Sequence, residues 1–273
     1  LIGSLQNADA ITVTTNRLGK ELSVYNKNIH CVPNCSENLY HHVAEHQQTP
    51  PQKVTLIIAS SDNVLVHFIV DALKLAQEKF ALQILVIGPL GEYLENRDLT
   101  IKRATNMRYY DFKEFVASID NGIGIIPLDD SLFSSCKSAI KYFDYSLAGV
   151  PSICSNVPPY SDHIINGKNG FLVENTVESW FAAIDLLVLN HTLRAEISES
   201  STHYVHHNYG WETAANAWQT LIAPMSQDIF AKRAINKPIK FIRLTRKKLF
   251  SKIVSILKLP IVYKRAFQII RTD

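Results

Sequence analysis

The segment KSAIKYFDYSLAG (Lys137–Gly149) spaces three charged side chains so that they could hold a phosphate and a pair of hydroxyls. Lys137 and Lys141 stand one helical turn apart and Asp144 follows three residues later, so a helix here carries all three near one face. A helix starting near Ser135–Lys137 presents unpaired backbone N–H groups and the positive end of its dipole. With Lys137 beside it, that start is an anion site. A carboxylate at Asp144 that accepts two vicinal hydroxyls makes charge-assisted hydrogen bonds. The same spacing also describes a solvated Lys/Asp pair on a surface helix, and spacing by itself leaves both readings open.

Such a site needs a scaffold, and the chain supplies the pattern of one. Continuous apolar runs, VTLIIAS from Val54, LQILVIG from Leu82, GIGIIPL (Gly122–Leu128), PSICSN from Pro151 and GFLV (Gly170–Val173), read as strands covered on both faces. MRYYDF (Met107–Phe112) is read as a further short strand. Segments of helical spacing lie between them, and TVESWFAAIDLLVLN, HTLRAEISESSTHYVHHNY and Trp211–Leu221 follow as helices. This alternation predicts an α/β fold, a doubly wound parallel sheet with extra C-terminal helices. Ahead of it, AITVTT (Ala10–Thr15) and IHCVPN (Ile29–Asn34) read as short strands around a helix capped by Asn16, and Pro50-Pro51 closes a polar connection. In such sheets ligands bind beyond the carboxyl ends of the strands. That singles out the loop with Ser60 and the loop DDSLFSSCKS before the Lys137 helix; Tyr110 and Phe112, after the fourth expected strand, either flank a nucleotide base or pack in the core.

The charge is divided. Residues 231–273 carry 13 Lys and Arg and one acid, leaving 15 basic and 24 acidic groups elsewhere. An acidic globular part argues against nucleic acid as a partner. The tail segment KFIRLTRKKLFSKIVSILKLP reads as a basic amphipathic helix, suited to an anionic membrane surface at about 1 kcal/mol per basic residue. Packing on the protein's own acidic part, or linking to another module, are the alternatives. Hydrophobic content of 47% allows a sizeable core, and no stretch reaches the ~18 uncharged apolar residues that span a bilayer. Four cysteines make no disulfide framework, so a reducing, cytoplasmic setting is expected. The chain opens at Leu1 rather than Met, and a fragment lacking an N-terminal part is expected.

KSAIKYFDYSLAGVPSICSNVPPYSDHIINGKNGFLV resembles the nucleotide-sugar-binding half of retaining glycosyltransferases of the GT-B fold, family four. Those show a Glu, seven intervening residues, a second Glu, then Ala-x-Ala-x-Gly-x-Pro. Here Asp144 stands at the second Glu, with Gly149 and Pro151 at matching distance. CKSAIKYFDYSLAGVP is similar to a bacterial polysaccharide branch of that family, and ADAITVTT with IHCVPNCSE resembles the passage from acceptor to donor domain. The resemblance implies a Rossmann-like donor domain at 31–225, preceded at 1–30 by the end of an acceptor domain and followed at 226–273 by the helical tail.

It also implies an activity: transfer of a sugar from a UDP- or GDP-linked donor to a glycan or lipid-linked acceptor, in polysaccharide biosynthesis. In that reading Asp144 holds the ribose hydroxyls, and helix-start amides near Ser138, Ala139 and Ile140 face the diphosphate or the sugar. Lys137 and Lys141 neutralise the leaving diphosphate, which lets such a fold work without a metal or other cofactor. No residue presents itself as the catalytic base. Two departures mark the chain. Cys136 stands at the first Glu, and the usual Arg and Lys after the first donor-domain strand are replaced by ASSDNVLVHFIV. They keep a second reading open, a non-catalytic nucleotide- or glycan-binding module of a larger assembly.

Three further signals have plain readings. His42, Glu45 and His46 match an inverted zinc-peptidase pattern but abut the proline-bearing connection, so a polar linker is expected. Cys31 and Cys35 are read as free thiols, and His203, His206 and His207 as a surface cluster. Trp211 and Trp218, seven apart, are expected to mark one buried helix face.

Overall fold

The computed structural model describes residues 2–36, 53–60, 69–105 and 107–232, with side chains through residue 222. The chain forms two compact units, residues 1–32 with 215–273, and residues 33–214. In the first, a short helix α1 (Ile2–Gln6) precedes strand β1 (Ile11–Val13), helix α2 (Asn16–Leu22) and strand β2 (Ile29–Cys31). β1 and β2 pair in parallel, with Leu5, Ile11 and Val13 buried beside them. The residue capping α2 is Thr15 rather than Asn16: its extended backbone lets Oγ1 accept from Leu18 N at 3.2 Å.

The second unit is a six-stranded parallel sheet. Its strands are β3 (Thr55–Ala59), β4 (Gln83–Ile87), β5 (Ile101–Ala104), β6 (Gly122–Ile126), β7 (Ser152–Ser155) and β8 (Phe171–Val173), in the order β5-β4-β3-β6-β7-β8. The apolar strands have no solvated face. On β3, Leu56 and Ile58 pack into one helix layer and Ile57 into the other, and all three are fully buried. The first layer holds α3 (Val70–Lys79), α4 (Leu90–Glu95) and α8 (Val177–Leu189); the second holds α5 (Tyr109–Ala117) and α7 (Ile140–Leu147). Helix α9 (His191–Tyr209) sends Ile197 to the first layer and Val205 to the second, and α10 (Trp211–Lys232) follows it. The chain crosses from one half-sheet to the other between β3 and β6, so the switch point lies beyond Ala59 and Ile126.

Three expectations are corrected. Met107–Phe112 is not a strand; the strand at this edge of the sheet is β5, Ile101–Ala104, and Tyr109 opens α5, where Phe112 and Val116 recur at helical spacing. Lys137 does not begin a helix. Ser131 caps a separate four-residue helix α6 (Leu132–Ser135), Cys136 to Ala139 turn the chain, and α7 starts at Ile140. Trp211 and Trp218 are both exposed rather than buried. The connection expected at His42, Glu45 and His46, residues 61–68 and the basic segment from residue 233 lie outside the described residues. Among those described, no helix is long and apolar enough to cross a membrane.

Candidate functional site

Asp144 is the centre of the site. It lies on α7, is 5% exposed, and its Oδ1 accepts two hydroxyls, from Ser36 Oγ at 2.7 Å and from Tyr109 Oη at 2.6 Å. Lys113, one turn beyond Tyr109 on α5, is 1% exposed and donates through Nζ to Ser36 Oγ at 3.3 Å. A buried lysine needs compensation, and the carboxylate supplies it. Burial pushes the Asp144 carboxyl above its ordinary value, while the hydrogen bonds from Tyr109 and Ser36 and the Lys113 charge work against that rise.

The segment after β2 closes over this centre. Asn34 Nδ2 donates to Ser138 Oγ at 2.7 Å, and Ser36 N donates to the Tyr209 carbonyl at 3.0 Å. The Tyr209 ring stacks on Phe143 at 4.3 Å between centroids, and its hydroxyl meets His163 Nδ1 at 3.1 Å. Burial holds the His163 imidazole below its ordinary value, with the Asp162 charge opposing. A histidine that stays neutral when folded is protonated first in the unfolded chain. Its contribution to stability is therefore present above the unfolded-state pKa near ~6.5 and is lost as pH falls toward the lower folded value. Urea midpoints are expected to drop between pH 7.5 and pH 5.5, by less in His163→Phe than in the wild type.

The remaining residues expected at the site are distributed as follows. Ala139, fully buried, is the N-cap of α7, and the first-turn amides of Ile140 and its two successors have no intrahelical acceptor. Ile140 and Lys141 are half-buried there. Ser60 is buried at the carboxyl end of β3, on the switch point. Lys137 lies in the turn before α7, its Nζ 4.7 Å from the centre of the Phe133 ring. Its charge also reaches Asp129, whose carboxyl lies below its ordinary value: burial opposes ionisation, but hydrogen bonds from the Ser131 hydroxyl and amide and the Lys137 charge outweigh it. Tyr110 is exposed, with its ring edge-on to Tyr109 at 5.8 Å.

A cleft of about 370 Å³ opens where the loops after β6, β7 and β8 converge, lined by Asp129, Asp130, Asn156, Glu174 and Asn175 among others. Of the loops singled out from the sequence, only the start of DDSLFSSCKS, Asp129 and Asp130, lines it; Ser60, Tyr110, Lys137 to Lys141 and Asp144 do not. Its rim is preset: Asn175 Nδ2 donates to the Leu128 carbonyl at 2.9 Å, and Asn156 Nδ2 to Glu174 Oε1 at 2.8 Å. Three carboxylates there repel phosphate and favour neutral hydroxyls.

Sequence reasoning missed Ser36, Tyr109 and Lys113. Reading Met107–Phe112 as a strand put Tyr109 and Lys113 in different elements. Continued as a helix, the i, i+4 spacing would have placed them on one face, with Lys113 between Phe112 and Val116. Ser36 carried no local signal. Cys31 and Cys35 are free thiols, and His203, His206 and His207 are exposed on α9. Among the described residues no cluster of metal-binding side chains occurs.

No protein-family model matches the chain, and no curated protein matches it. Solved structures share its fold. The S. aureus protein TarM, solved as a mutant in complex with fondaparinux, α-GlcNAc-glycerol and UDP, has a TM-score of 0.62 at 16% identity, over 81% of this chain and 45% of that one. A glycosyltransferase from Rickettsia africae gives 0.59 at 17% identity, over 84% of this chain and 64% of that one. HepE from Anabaena, in complex with UDP and glucose, gives 0.63 at 12% identity, over 82% and 65%. The chain thus spans between 45% and 65% of the length of these structures. At such identities the likeness is one of fold, the Rossmann-like α/β architecture of these glycosyltransferase structures.

Proposed function

We propose that this chain is the nucleotide-sugar-binding half of a glycosyltransferase that moves a sugar from a UDP- or GDP-linked donor to a glycan or lipid-linked acceptor. The observation that carries the reading is Asp144: a buried carboxylate, already engaged by two hydroxyls, on α7, between the switch-point strand β6 and strand β7. A carboxylate in that setting is suited to a ribose diol. When the bond from the anomeric carbon to the diphosphate breaks, negative charge grows on the leaving phosphate. The first-turn amides of α7, with Lys137 and Lys141, are the groups of this chain that would meet it, and no metal is required in this scheme. Retention at the anomeric carbon, a polysaccharide product and a peripheral membrane position belong to the same proposal, the last resting on the basic tail. Residues 1–30 would then end an acceptor-binding domain, and the acid-lined cleft would receive neutral hydroxyls.

The structures with this fold support the reading, since TarM was solved with UDP and HepE with UDP and glucose. Thermal shift and calorimetry with UDP and GDP test it. Stabilisation by one of them is expected, rising with concentration as binding to the folded state requires. No stabilisation by either removes the proposal. Cys136, in place of a carboxylate beside Lys137, favours a second reading, a binding module without transfer. Binding without any release of nucleotide from a UDP-sugar, assayed in the full-length protein with acceptor present, would select it.

A further inference from the structure

Two hydroxyls converge on one oxygen of Asp144, and they differ in how firmly they are held. Ser36 is 2% exposed, its Oγ lies between Asp144 and Lys113, and its amide is bonded to Tyr209. Tyr109 is 47% exposed and is the first residue of α5, after an Arg108 N-cap whose side chain does not cap the helix. Its ring touches Tyr110 edge-on at 5.8 Å, and Lys113 Nζ lies 5.6 Å from its centre. The Ser36 bond belongs to the packed interior. The Tyr109 bond belongs to the rim, and a rotation of one side chain in the first turn of a helix breaks it.

We propose that the Tyr109 hydroxyl is an internal occupant of the nucleotide site: it fills the position on Asp144 that a ligand hydroxyl takes, and binding requires its displacement. The inference rests on the nucleotide reading above and deepens it. A phenol hydroxyl and a sugar hydroxyl make the same kind of bond to a carboxylate, so each can replace the other without leaving a buried acceptor unsatisfied. Once Tyr109 has swung out, Ser36, Lys113 and Asp144 remain as the pocket wall. A site that is open only part of the time binds more weakly by the open fraction. A charge-assisted bond at a half-exposed position makes that factor about tenfold. It also imposes selectivity, because only a ligand that returns a hydroxyl donor makes good the bond that is lost.

The test is calorimetric titration of the full chain with UDP and with 2′,3′-dideoxy-UDP, for wild type, Tyr109→Phe and Tyr109→Leu. Both variants are expected to bind UDP about tenfold more tightly than wild type, whereas the dideoxy ligand, which brings no hydroxyl to Asp144 and so lets Tyr109 stay in place, gains little. Circular dichroism and the melting temperature report whether each variant is folded, and the conservative Phe variant keeps the ring contacts. Unchanged or weaker UDP binding in both folded variants overturns the proposal while leaving the nucleotide reading in place. An equal gain for both ligands also overturns it, since Tyr109 would then not compete for the position that a ligand hydroxyl takes. Absence of UDP binding in all three proteins removes the underlying reading, and the proposal with it.

Discussion

Asp144→Asn is expected to reduce UDP affinity by about a hundredfold or more, measured by calorimetry. Each hydrogen bond from a ligand hydroxyl to an ionised acceptor contributes about 1.5–3 kcal/mol, and a ribose diol makes two of them. Asparagine keeps the shape of the side chain and one acceptor oxygen but removes the charge. The same change has a second consequence. Lys113 is almost wholly buried, and the carboxylate is the negative charge facing it across Ser36. Removing one member of a buried charge pair costs about 3–5 kcal/mol. Asp144→Asn should therefore lower the urea midpoint as well as the affinity. Two further variants separate the effects. Asp144→Asn with Lys113→Met removes both charges and is expected to recover stability without recovering binding. Asp144→Glu keeps the charge and is expected to retain measurable binding. Full UDP affinity in Asp144→Asn would remove this residue from the site.

Gly124→Ala should be the most damaging single-methyl change in the second unit. A Cβ on Gly124 would lie 2.3 Å from Tyr145 Cδ2, 2.8 Å from its Cε2 and 2.9 Å from Ser152 Oγ. None of these can retreat easily. Tyr145 is 1% exposed against the sheet with its hydroxyl 3.5 Å from the Ile57 carbonyl, and Ser152 is on the neighbouring strand β7. Overpacking of this severity costs about 3 kcal/mol, near the upper end of the usual range, and lowers the melting temperature by about 10 °C. The effect reaches the site, because Tyr145 adjoins Asp144 on α7. A helix pushed off β6 moves the carboxylate, so the folded fraction is expected to bind UDP more weakly at temperatures well below the transition. A melting temperature within about 2 °C of wild type would show that the helix layer yields without cost.

Much of this architecture could be read along the chain. The runs TLIIA, QILVI and GIGII became β3, β4 and β6 because a strand buried on both faces needs no polar alternation, which is a local property. The close of α7 was equally legible: Gly149 has φ of +74°, a conformation that favours glycine, and follows the last helical turn. The start of α7 was not. Lys137 and Ser138 are compatible with a helix, but Ser131, its Oγ accepting from Ser134 N at 3.2 Å, starts a separate short helix that closes at Cys136, and the chain turns before Ile140. Trp211 and Trp218 failed for a related reason. A spacing of seven places two residues on one face but does not say what, if anything, covers that face.

The sequence by itself marked most of the strands and helices of the sheet unit, with β5 and the starts of α5 and α7 as the exceptions, and it marked Asp144 as the carboxylate to examine. It did so because periodicity, caps and turn residues act between neighbours a few positions apart. The strand order was decided only in three dimensions, and so was the company Asp144 keeps. Ser36 lies 108 residues away and Tyr109 35 residues away, and both hydroxyls reach the same oxygen. Nothing local to Ser36, Tyr109 or Lys113 announces that meeting. It arises because α5 and α7 pack side by side on one face of a parallel sheet, and a buried charge there must find its partners wherever the packing brings them.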